Sequence, residues 1–123
     1  MEYFKKLYEF IALSIDDSNV YEMANIQPDD SGLPYIVNVM NKGGAKHGPR
    51  VKVSNIVGTY AFNDNFTITV DPYPRIIGKS KVGLEVEKLI IDWVKLNYTH
   101  IHAIWNSNGT MSGTEIDAGF KKI

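Results

Sequence analysis

Three short runs of strand-forming residues, joined by polar connections, set the fold open to this chain. The first, residues 35–40, reads Tyr35-Ile36-Val37-Asn38-Val39-Met40 and is apolar on both faces, as a covered strand is. In residues 50–54, Val51 and Val53 fall on one face and Arg50, Lys52 and Ser54 on the other. In residues 66–71, Phe66, Ile68 and Val70 alternate with Thr67, Thr69 and Asp71 in the same way. The pattern predicts an antiparallel meander. Pro72 and Pro74 end the third strand, because proline cannot donate to a ladder, and Arg75-Ile76-Ile77-Gly78 supplies a brief extended piece. The expected sheet therefore has about three to four strands.

Helical periodicity returns in two places. Phe4, Leu7, Tyr8 and Ile11 sit at helical spacing within residues 2–14, which predicts a short amphipathic N-terminal helix. Residues 15–34 are rich in Asp, Asn and Ser and read as a polar loop, with room for a helical turn near residues 20–24. From residue 82 onward Val86, Leu89, Ile90, Trp93, Val94 and Leu96 form a wide apolar stripe, with Glu85 and Glu87 early and Lys95 late, as the helix dipole favours. Residues 98–105 either continue that helix or form a second one after a break near residues 97–99. Residues 106–123 read as a tail or edge segment, with a short strand placed near 115–120. The expectation is one α+β domain over residues 1–123: a small antiparallel sheet on a long C-terminal helix, residues 35–105 forming the core.

Composition narrows the function classes. The chain has no cysteine, which excludes disulfides, thiolate zinc sites and cysteine nucleophiles. The N-terminus lacks a signal-peptide pattern and no apolar run nears the ~20 residues that span a bilayer, so a cytoplasmic protein with no membrane partner is expected. The net charge of −1 conceals an asymmetry. In residues 1–30 seven acids stand against Lys5 and Lys6, a balance of −5. Residues 31–63 contain no acid and carry Lys42, Lys46, Arg50 and Lys52, a balance of +4. A second acid-free basic stretch holds Arg75, Lys79 and Lys81. Where two such stretches meet in space, they make one cationic face.

The first basic stretch opens with the turn Lys42-Gly43-Gly44-Ala45-Lys46-His47-Gly48-Pro49-Arg50, in which Gly43, Gly44 and Gly48 are the expected positive-φ positions. Residues 33–105 resemble a loosely defined group of small bacterial and phage proteins of unknown function. In that group a Gly-Gly-Ala-basic-His-Gly-Pro-Arg turn leads into a Lys-containing strand, a further strand, an Arg-Ile piece and a helix ending in Asn and Trp. The matching residues are Gly43 to Lys52, Pro74 to Ile76, Trp93, Asn97 and Trp105. The stretch is also similar to a domain group of unknown function encoded beside toxin–antitoxin genes. The resemblance implies a short sheet closed by a helix and carries no settled activity; residues 1–32 and 106–123 lie outside it.

The chemistry-bearing residues support binding better than catalysis. Lys46, His47, Arg50 and Lys52 suit an anion site in which glycine-turn N–H groups and a bidentate Arg50 hold a phosphate; Arg75, Lys79 and Lys81 extend it if the stretches meet. The bland alternative is a hairpin whose charges keep a sheet edge soluble. His47 is the sole catalytic candidate, as a general base oriented by Asp71. His100 and His102 would chelate a metal from a strand, but on a helix they diverge, and no acidic cluster accompanies them; no metal or cofactor is expected. Trp93 and Trp105 read as core anchors, and Tyr60, Tyr73 and Tyr98 as the better stacking candidates.

The first expectation is thus a non-enzymatic binding module for nucleic acid or an acidic protein surface. A small regulatory or inhibitor protein, antitoxin-like or directed against a phage defence, is the second, and a small nuclease or nucleotide-processing enzyme using His47 the third. The acidic N-terminal segment is suited to a partner, or to the basic face of a second copy in a homodimer.

Overall fold

The computed structural model describes Met23–Ile123; the expected helix over residues 2–14 lies outside the described residues. Five strands form one antiparallel sheet in chain order, β1 (Met23–Ile26), β2 (Val37–Met40), β3 (Arg50–Ser54), β4 (Asn65–Thr69) and β5 (Ile76–Ile77). The chain is α+β, and the meander is the predicted one with an extra strand at the start. Between β1 and β2 lies α1 (Pro28–Ser31), and after β5 come α2 (Leu84–Leu96), α3 (Tyr98–Asn106) and α4 (Gly113–Ala118). Among the described residues no helix is long and apolar enough to cross a membrane.

Strand alternation decides which side chains reach the core. Ala24, Val39, Val51 and Ile68 are register partners in one row, and Ile26, Val37, Val53 and Phe66 in another; all are buried. Ile90, Trp93 and Val94 of α2, Ile101 and Ile104 of α3 and Ile116 of α4 join them in a single cluster. Here α3 lies against β2 and α4 against β1. Each large aliphatic or aromatic side chain buried this way contributes about 1.5–3 kcal/mol relative to exposure.

The expected long helix is two helices. Asn97 is the break, with φ −105° and ψ 15° and a side chain that is 2% exposed. Its amide nitrogen donates to the carbonyls of Trp93 (3.0 Å) and Lys121 (3.0 Å), and its amide oxygen accepts the Lys121 N–H (2.7 Å). A short amide side chain that competes for backbone groups is what stops helix propagation. The same bonds dock residues 119–123, part of the stretch expected as a tail or edge segment. Phe120 stacks on Trp93 at 5.5 Å, and the Ile123 N–H reaches the Ser31 carbonyl at 2.8 Å.

The strand expected near residues 115–120 is instead α4. Ser112 accepts the Glu115 N–H (3.1 Å) and Glu115 accepts the Ser112 N–H (3.0 Å), a complete capping box that holds the Glu115 carboxyl below its usual range. β1 likewise replaces the end of the expected polar loop; Asn25 alternates with Ala24 and Ile26, and pairing with β2 makes the strand.

Ser54 closes the β3–β4 connection. Fully buried, its hydroxyl donates to the Thr59 carbonyl (2.7 Å) and accepts the N–H groups of Ile56 (3.1 Å) and Ala61 (3.2 Å). Ser54→Ala leaves the buried Ala61 N–H without a partner, and the expected cost is about 1–3 kcal/mol with an unchanged slope in urea denaturation. A shallower slope would mean that the connection opens in the native state.

Candidate functional site

The sheet face opposite the core carries the polar half of the alternation. Asn25, Asn38, Lys52, Thr67 and Ile77 form one row across the five strands. Asn38 is buried there and donates to the Asn25 side-chain oxygen at 2.8 Å, satisfying an amide that desolvation would otherwise penalise. Toward β4 and β5 the face opens, with Lys52 and Ile77 exposed and Thr67 half-buried.

One row further along, the two basic stretches meet. Arg50 on β3 is the register partner of Thr69 on β4. On its other side Thr69 is tied to Arg75: the Thr69 N–H donates to the Arg75 carbonyl (2.9 Å), and the Arg75 N–H donates to the Thr69 hydroxyl (2.8 Å). Arg75 alternates with Ile76, which packs toward the core, and so shares the face of Arg50 and Ile77. Two strand spacings put the two backbones about 10 Å apart. A ligand group midway between them lies within a Debye length of each in physiological salt, so both charges act on it. Among the described residues no carboxylate forms an ion pair with Arg50, Arg75 or Lys52.

The glycine-rich turn is anchored at this same end of the sheet. The Lys42 N–H donates to the Trp105 carbonyl (2.8 Å), the Ala45 N–H to the Lys42 carbonyl (2.9 Å), and the His47 ring lies on the Trp105 ring at 5.5 Å. Trp105 is therefore the core anchor expected of it, and its outer side is the seat of the turn. Gly43 alone of the three expected glycines has positive φ, 51°. Lys42, Lys46 and His47 are all exposed beside Arg50.

Lys79 and Lys81 stand apart. The Asn55 amide, one residue beyond β3, donates to the Lys79 carbonyl (3.0 Å) and accepts the Lys81 N–H (2.8 Å). Five residue steps of extended chain, about 17 Å, separate that position from Arg50. The Lys81 ammonium is 3.0 Å from the Asp64 carboxylate, which it and the Asn55 amide hold below its ordinary range. The two predicted basic stretches thus join through Arg50 and Arg75, while Lys79 and Lys81 mark the opposite end.

The histidines are engaged locally. His47 directs Nδ1 at the Gly48 carbonyl (2.9 Å), and Asp71 accepts the Tyr73 N–H (2.8 Å), so the proposed base and its orienting partner are not joined. His100 bonds the Ile116 carbonyl (2.6 Å) and His102 the Val70 carbonyl (2.8 Å). They diverge, as helical spacing requires, and tie α3 to α4 and to the residue that follows β4. Of the stacking candidates, Tyr98 packs on the His102 ring at 4.2 Å and Tyr60 on Phe62 at 5.1 Å. Thr69, the residue that joins the arginines, is legible in the sequence as an outward position on the face of Arg50 and Lys52, but not as a site residue, because its tie to Arg75 depends on the turn after β4.

No family model, curated protein or solved structure matches this chain, so the site's own geometry is the basis for reading its function.

Proposed function

We propose that the protein is a non-enzymatic binding module that holds nucleic acid by its phosphates at the cationic end of the sheet. The observation that supports this reading is the pair Arg50 and Arg75, on either side of Thr69 and on one face, unpaired with any described carboxylate. Guanidinium forks suit phosphate oxygens geometrically, and Lys42, Lys46 and Lys52 add charge around them. His47 serves here as a positioning group on the turn rather than as a base.

A second reading, a small regulatory or inhibitor protein, draws support from the opposite end. There Val57 and Phe62 of the β3–β4 connection and Leu84 at the start of α2 are 68%, 65% and 83% exposed. Exposed apolar groups of this size mark protein-binding surfaces when they cluster.

Fluorescence anisotropy tests the first reading. The full chain is titrated against a short labelled DNA, an RNA of the same sequence, and poly-aspartate of matched charge. The expected result is oligonucleotide binding near 10⁻⁴–10⁻⁶ M, roughly the range of phosphate-driven association. Poly-aspartate, whose carboxylates pair with arginine forks as phosphates do but which carries no bases to stack, should bind more weakly. Equal or tighter binding of poly-aspartate would favour the acidic-protein reading.

A further inference from the structure

We infer that Tyr73 is a base-stacking residue and that the ligand of the cationic end is single-stranded nucleic acid; this rests on the nucleic-acid reading above. Tyr73 is 84% exposed, more than any other described large apolar side chain. Its ring meets no other ring and its hydroxyl has no partner among the described residues, in contrast to Tyr60 and Tyr98. An aromatic held in water with no packing partner lacks a role in stability.

The backbone around it is nonetheless fixed. Pro72 and Pro74 lock φ on both sides. The Tyr73 N–H is held by the Asp71 carboxylate, and Arg75 is clamped to Thr69 by the two bonds given above. The ring is thus presented from a stiff turn, at low ordering cost on binding. It also sits two residues from Arg75, a backbone separation of at most about 7 Å. A phosphate between Arg50 and Arg75 therefore leaves the adjoining base within reach of the Tyr73 ring.

Unpaired bases expose a π-face to such a ring, whereas bases in a duplex are already stacked on their neighbours. The cations attract either form; the ring discriminates between them. Hydrogen-bond readout is absent from this contact, so the preference is for strandedness rather than for sequence.

The test compares wild type, Tyr73→Ala and Tyr73→Phe against a labelled single strand and the duplex of the same sequence, with the salt dependence of each. Wild type is expected to favour the single strand. Tyr73→Ala should lose about tenfold or more on the single strand, keep its duplex affinity and keep its salt slope; Tyr73→Phe should behave as wild type. Unchanged single-strand affinity in Tyr73→Ala, or equal losses on both ligands, overturns the stacking role and leaves the cationic site standing. Failure of wild type to bind either ligand overturns the nucleic-acid reading itself, and this inference with it.

Discussion

Asn97→Ala is expected to lower the unfolding free energy by about 2–4 kcal/mol, the largest stability loss from any single polar substitution in the described chain. The side chain makes three hydrogen bonds from a site that is 2% exposed. Each contributes about 1 kcal/mol net, and a buried group left unpaired costs more. The loss also frees residues 119–123, whose Phe120 covers Trp93 and whose Ile123 is bonded to Ser31. Asn97→Asp is the sharper variant. It keeps the acceptor for the Lys121 N–H but sets a carboxylate oxygen against the carbonyls of Trp93 and Lys121, so it should be at least as destabilising. Urea denaturation gives the free energies, and proteolysis near the C-terminus should become faster in both variants. A loss below about 0.5 kcal/mol would show that the α2–α3 break is held by packing alone.

Arg50→Ala/Arg75→Ala is expected to weaken oligonucleotide binding by about two orders of magnitude at low salt, taking ~1.5 kcal/mol for each charge-assisted contact. Stability should change little. The ladder bonds at both positions belong to the backbone, and the Thr69 hydroxyl keeps its bond to the residue 75 N–H. Lys79→Ala/Lys81→Ala removes the same formal charge from the other end of β3, where Lys81 already faces Asp64. Its effect should stay within about threefold, since exposed charges beyond a Debye length are largely screened. Equal losses in the two double variants would mean that net charge, and not the Arg50–Thr69–Arg75 row, governs binding.

How far the sequence foretold this arrangement depends on the range of the interaction involved. β2, β3 and β4 were legible because period-two alternation is written in four or five consecutive residues, as in Val51 and Val53 against Arg50 and Lys52. β1 was not, because its four residues become a strand through a long-range partner, Asn25 against Asn38. The break at Asn97 was weighed as one of two outcomes, and a contact with Lys121, twenty-four residues on, decides it. α4 has six residues and one buried anchor, Ile116, too few to show a period, though Ser112-x-x-Glu115 was a readable cap. The candidate site was half legible. Each basic stretch was visible in composition, but their meeting depends on the register of three strands and on the turn that brings Arg75 back beside Thr69.

The most direct measurement is the slope of log binding constant against log salt for wild type and Arg50→Ala/Arg75→Ala on one single-stranded oligonucleotide. If the two arginines hold one phosphate between them, the variant's slope is shallower by about 0.7, the value for one phosphate on a single strand. Parallel lines, with the variant merely displaced or indistinguishable from wild type, would contradict a phosphate site on this face.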